Sequence, residues 1–119
     1  MSMKATIRQI DSVTVVDVSG RITLGEGCTQ LRELIREQLS KGNKNILLNL
    51  AEVTYIDSSG IGELVSGFTG VAKQGGSLKL LKLTKKVHDL LQITKLYTVF
   101  DIYDDEAKAI GSFAKATSV

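Results

Sequence analysis

Val53-Thr54-Tyr55-Ile56-Asp57-Ser58-Ser59-Gly60-Ile61-Gly62 decides the fold, because within a few residues it passes from a strand into a helix. The β-branched and aromatic residues up to Ile56 suit a pleated strand. Beyond them, Ile61, Leu64, Val65, Phe68, Val71 and Ala72 recur at the spacing of one helical face, and Gly75-Gly76 stops the pattern. Asp57 is placed to cap this helix, since its carboxylate can accept from free first-turn amides. Ile56 and Ile61 fit a hydrophobic staple around that cap, which makes Ser58 the first helical residue, pointing to solvent.

On the N-terminal side, Ile46 to Leu50 is nearly continuous in apolar residues, as a strand buried on both faces requires. Cys28, Leu31, Leu34, Ile35 and Leu39 mark one face of an earlier helix that ends at Lys41-Gly42-Asn43. Val13 to Val18 reads as a strand turning at Ser19-Gly20, and Lys4 to Ile10 as a weaker strand joined to it by an Asp11-Ser12 hairpin. On the C-terminal side, Leu78, Leu80, Leu81 and Leu83 predict a strand, and Val87, Leu90 and Leu91 a short helix. Val99, Phe100, Ile102 and Tyr103 predict a last strand, and Ala107, Ile110 and Ala114 a closing helix. The order β-β-α-β-α-β-α-β-α predicts a single α/β domain over residues 1–119. Its sheet is mixed, parallel in the centre with an N-terminal hairpin, and covered by about four helices.

The chain has 119 residues, of which 43% are hydrophobic, too many for a disordered segment. Its single cysteine, Cys28, excludes an internal disulfide and a multi-thiolate metal cluster. No apolar run reaches the ~18 residues of a membrane helix, and Met1 to Thr6 lacks the apolar core of a secretory signal, so a cytoplasmic location without membrane insertion is expected. A net charge of +2, with three Phe, three Tyr and no Trp, gives little for nucleic-acid binding. Residues 70–100 carry Lys73, Lys79, Lys82, Lys85, Lys86 and Lys95 against Asp89 alone; this is either a solvated face or a rim that steers an acidic partner.

Two readings of Asp57-Ser58-Ser59 share one geometry. Any strand–helix junction can use these residues as a cap. A phosphate on Ser58 would also add about −1.5 to −2 charge beside Asp57 and near Glu63, and a partner packed on Gly60, Ile61 and Gly62 would have to desolvate it. Enzymatic alternatives are thin. Gly60-Ile61-Gly62 opens like a dinucleotide loop, but Val65 stands where the third glycine belongs, and there is no Gly-Lys-Ser/Thr phosphate loop. His88 lies beside Asp89 in a helical pattern, Cys28 sits on an apolar helix face, and Asp104-Asp105-Glu106 reads as a helix start and not a metal site. No enzyme activity, cofactor or metal is expected.

The element order and the run Asn49 to Gly62, together with Val18-Ser19-Gly20-Arg21-Ile22 and Gly75-Gly76-Ser77-Leu78-Lys79-Leu80, resemble the STAS domain, and more narrowly the bacterial anti-sigma factor antagonists. The resemblance spans about the whole chain. It implies a protein that binds a serine-kinase anti-sigma factor and so frees the sigma factor for RNA polymerase. It implies phosphorylation by that kinase at Ser58, reversal by a PP2C-type phosphatase, and a binding face made of Asp57, Ser58, Ser59, Gly60, Ile61, Gly62 and Glu63 with Ile22, Thr23, Leu24 and Gly25. One position departs from the pattern: sporulation members carry an aspartate where this chain has Thr23, so the loop lacks that carboxylate. The alternative within the fold is a STAS subunit of a lipid or anion transport complex. The expected assembly is a monomer or weak homodimer.

Overall fold

In the computed structural model, which describes residues 3–113, the chain opens with a hairpin of β1 (Met3–Ile10) and β2 (Val13–Ile22). There follow α1 (Glu26–Ser40), β3 (Asn45–Ile56), α2 (Ser58–Lys73), β4 (Ser77–Leu81), α3 (Lys85–Ile93), β5 (Ile102–Tyr103) and α4 (Glu106–Ser112). The five strands lie in chain order across one sheet, with β1 antiparallel to β2 and every later neighbour parallel. The mixed sheet and the element order agree with the sequence reading.

Three parallel crossovers stepping in one direction place their helices on one face of the sheet, because such connections are right-handed. Leu31 and Ile35 of α1, Leu64 and Val71 of α2, and Val87 and Leu91 of α3 accordingly share one buried cluster with Val16, Ile46 and Leu80 of the sheet. On the opposite face α4 covers only one end, where Ala109 and Phe113 pack on Val13, Val15, Leu47 and Leu81. The strip beside it is polar. Arg8 donates to Asp17 at 2.6 and 2.9 Å and to Glu106 at 2.7 and 3.2 Å, and Asn49 donates to Asp17 at 2.8 Å. Because burial on both faces is needed only under α4, the apolar run of β3 is continuous there and alternates elsewhere.

Several expectations change. Ser19-Gly20 is no turn: β2 runs on to Ile22, with register irregularities between Asp17 and Ser19 and between Gly20 and Arg21. Gly20 holds φ at 93°, so the glycine marks an irregular strand, not its end. The last strand is only Ile102–Tyr103, because Phe100 turns into the core and meets Phe68 edge-on at 5.4 Å. On α2, Leu64 is fully buried, Val65 and Phe68 are partly buried against the core, and Ala72 is exposed. Ala114 of the expected closing helix lies outside the described residues.

The lysine excess does not form one rim. Lys79 is turned inward, donating to the Ser112 carbonyl and Oγ at 2.9 Å each and lying 4.8 Å over the Phe113 ring, so it caps the end of α4. Lys85 pairs with Asp89, while Lys86 lies over Tyr55.

Candidate functional site

Asp57 ends β3 in an extended conformation and caps α2, its Oδ1 accepting from the Gly60 amide at 2.8 Å. This is the cap expected from the sequence. Its second oxygen does something the sequence does not announce: Oδ2 accepts from the Leu24 amide at 3.0 Å, across 33 residues of chain. The Asp57 amide in turn donates to the Ile22 carbonyl at 3.4 Å. One side chain therefore fastens the β2–α1 loop to the start of α2. Partial burial pushes the Asp57 carboxyl up, but the amides of Leu24, Gly60, Ser59 and Asp57 itself outweigh it and hold the carboxyl below its ordinary value. The clamp is ionised at neutral pH.

Gly60 is required by close approach. A Cβ there would run into the Ile22 carbonyl oxygen and Ile56 Cγ1. Gly27 has the same role at the start of α1, where a Cβ would lie 2.6 Å from the Arg21 carbonyl oxygen. Both helices thus begin hard against the end of β2. Gly25, with φ at 98°, turns the loop into α1, and its carbonyl accepts from Thr29 at 3.0 Å. The Thr23 carbonyl accepts from Cys28 at 3.1 Å. With its backbone fixed this way, Leu24 is left 77% exposed.

The outward surface consists of Ser58, Leu24, Gly25 and Gly62, all exposed, with Ser59, Thr23 and Asp57 half-buried between them. Ser58 is the first residue of α2, and its hydroxyl faces solvent as the cap geometry predicts. Of the residues expected on the binding face, Ile22, Gly60 and Ile61 are buried in the free chain, Ile22 at 0% and Ile61 at 2% exposure. Ile61 is the fourth residue of the helix and staples onto the core, while Ile22 and Gly60 are packed against each other. They shape the face from beneath.

Glu63 is drawn off that face. Its carboxylate accepts from Arg32 of α1 at 2.6 and 3.2 Å and is only 14% exposed. Sequence reasoning missed Arg32, whose role depends on how α1 and α2 pack. Behind the loop lies Cys28, whose thiol is pushed up by burial and then by the charges of Asp57 and Glu63, so it is a protonated core group. His88 packs edge-on against Tyr97 at 4.8 Å and lies 3.6 Å from Asp89, away from this end of α2. Among the described residues, no group of three or more His, Cys, Asp or Glu is placed to hold a metal. No helix of the described residues is long and apolar enough to cross a membrane. What the site offers is an exposed hydroxyl at a helix start, beside an apolar side chain on a clamped loop.

Comparison with known proteins adds to this geometry. The sequence profile of the STAS domain matches residues 4–109. The anti-sigma-B factor antagonist of Bacillus subtilis is 31% identical over 102 residues, covering 86% of this chain and 92% of the relative. The crystal structure of a candidate anti-sigma factor antagonist from Thermotoga maritima superposes with a TM-score of 0.83 at 25% identity, over 90% of this chain and 92% of that one. The anti-sigma factor antagonist SpoIIAA, solved in unphosphorylated form, has the same fold at a TM-score of 0.76 and 20% identity, over 90% of this chain and 93% of its own. The Bacillus cell fate determinant SpoIIAA has also been solved in phosphorylated form, with a TM-score of 0.71 at 19% identity over 91% and 97% of the two chains.

Proposed function

The chain belongs to the STAS domain family, and from that premise we propose that it is an anti-sigma factor antagonist whose binding face is switched by phosphorylation of Ser58. The observation that carries the proposal is the setting of Ser58: an exposed hydroxyl on the first residue of α2, next to the Leu24 loop that Asp57 fastens to the same helix start. Neighbouring hydroxyls are less available. Ser59 is half-buried, and Thr54 donates its hydroxyl to the Gly20 carbonyl at 3.1 Å.

Unmodified, the face presents Leu24, Ser58 and Gly62 to a serine-kinase anti-sigma factor, and binding releases the sigma factor that the kinase had held. The kinase then transfers the γ-phosphoryl group of ATP: Ser58 Oγ bonds to phosphorus, the bond to ADP breaks, and the hydroxyl proton passes to a base on the kinase. The helix dipole favours the new negative charge, but the amide best placed to receive it is already taken by Asp57, and Asp57 itself is anionic. The phosphate therefore stays in water on the free protein and has to be stripped of it in the complex, so the partner leaves. A PP2C-type phosphatase restores the hydroxyl by hydrolysis. In this scheme the protein is a cytoplasmic binding module and the chemistry belongs to its partners. The phosphorylated SpoIIAA structure, on the same fold, supports such a cycle.

Incubation with ATP and the serine kinases of the source cell tests the reading. Mass spectrometry should find one phosphate, lost in Ser58→Ala and retained in Ser59→Ala. Phosphate mapped to Ser59 or Thr54 contradicts the assignment. No phosphate with any such kinase favours the transport-complex alternative.

A further inference from the structure

We propose that a second copy of this chain docks along β1, pairing antiparallel with its twin about a dyad at Ile7. β1 is the outer strand of the sheet: eight residues paired with β2 on one side and, among the described residues, with no strand on the other. Such an edge is a template for strand addition unless it is short, bulged, broken by proline or guarded by charged side chains; the charges here are Lys4 and Arg8, the latter paired with Asp17 and Glu106 of its own chain. β1 pairs with β2 in unbroken register from Met3 to Ile10, and it contains no proline.

Its side chains select the occupant. On the helix side, Met3 and Ala5 pack on the core while Ile7 is 40% exposed. On the other side stand Lys4, Thr6, Arg8 and Ile10, with Arg8 neutralised by Asp17 and Glu106. Antiparallel pairing centred on Thr6 would set Ile7 of each copy against Ala5 of the other, so that the two exposed apolar side chains miss each other, in conflict with the burial they need. Centring on Ile7 removes that conflict. Ile7 then meets Ile7, Thr6 meets Arg8, and Lys4 falls opposite Ile10.

That last position holds a matching hole. A groove lined by Ile10, Asp11, Glu106, Ala107 and Ile110 opens between the end of β1 and α4. It offers Ile10 and Ile110 to the aliphatic stem of Lys4 and the Asp11 carboxylate to its ammonium. By symmetry this happens twice, once at each end of the paired edge. A cleft between β1 and α1, lined by Met3, Ala5, Gln30 and Leu34, flanks the same edge on the helix side. The paired copies form one ten-stranded sheet, with Ser58 two strands away from the seam and still open.

Two short edges bury an area at the small end of specific interfaces, so the association is concentration-dependent. Sedimentation equilibrium on the full chain should show mass rising from one copy towards two between about 10 μM and about 1 mM. Ile7→Lys should raise the dissociation constant about tenfold or more. Lys4→Glu, at an exposed position that leaves folding intact, should raise it about threefold or more by turning two attractions into repulsions. Ile7→Cys should cross-link on mild oxidation while the buried Cys28 does not. A monomer throughout the range overturns the proposal. So does a dimer whose affinity neither Ile7→Lys nor Lys4→Glu changes, since that dimer uses another face.

Discussion

α2 and α4 start with the same device. In each, an aspartate precedes the first turn in extended conformation and accepts from the amide three residues on: Asp57 from Gly60 at 2.8 Å, Asp105 from Lys108 at 3.1 Å. The cap of α4 ends there. At α2 the other carboxylate oxygen reaches a second loop, and the third helical residue has no room for a side chain. An N-cap is a local matter of helix chemistry, whereas Asp57 also decides where Leu24 stands. The same motif is structural at one helix and positions a surface at the other.

The contrast is most easily broken at Gly60. Gly60→Ala drives a Cβ into the Ile22 carbonyl and the Ile56 side chain, and overpacking of this kind costs about 3 kcal/mol. Gly111→Ala in α4, where a Cβ meets open space, should be neutral or slightly stabilising. Urea denaturation of the two variants should separate them clearly; equal midpoints would mean that α2 does not sit tightly on β2.

Next in size comes the capping pair. Asp105→Ala removes one cap and should cost about 1 kcal/mol. Asp57→Ala removes a cap and also leaves the Leu24 amide without its acceptor, for a total of about 2 kcal/mol. Hydrogen exchange should show the Leu24 amide deprotected in Asp57→Ala and unchanged in Asp105→Ala. Equal losses of stability and an unchanged Leu24 amide would reduce Asp57 to a cap.

Acidity sharpens the same difference. The folded Asp57 carboxyl lies below its unfolded value, so its contribution is fully present above the unfolded value and is lost as pH falls through the folded one. Asp57→Asn keeps an oxygen for Gly60 but none for Leu24. The stability advantage of the wild type over Asp57→Asn should therefore be constant from neutral pH down to about 4 and then shrink. A difference that does not change with pH would show that the charge of Asp57 contributes nothing to the clamp.

How much of this was legible in the sequence follows the range of each interaction. The cap, the staple and the exposed Ser58 were readable because they depend on neighbours within one helical turn. The order of elements was readable because each helix and strand carries its own period. The Asp57–Leu24 and Arg32–Glu63 contacts were not, since both depend on how elements 31 or more residues apart are packed. Gly20 misled because glycine marks a turn and an irregular strand with the same letter. Val99-Phe100 misled because an apolar pair suits a strand and a core plug equally; Phe100 chose Phe68.

The smallest expected change in stability carries the most weight. Ser58→Asp adds a negative charge that the helix dipole favours by roughly 0.3–1 kcal/mol and that ionised Asp57 opposes in similar measure, so the melting temperature should barely move. In a complex the same charge would lose its water, at a cost of several kcal/mol if left unpaired. Titration calorimetry with the serine kinase that phosphorylates the protein is the direct measurement. The account predicts at least about a tenfold weaker affinity for Ser58→Asp, with both proteins folded. Equal affinity would remove Ser58 from the interface and leave Asp57-Ser58-Ser59 as a helix cap and nothing more.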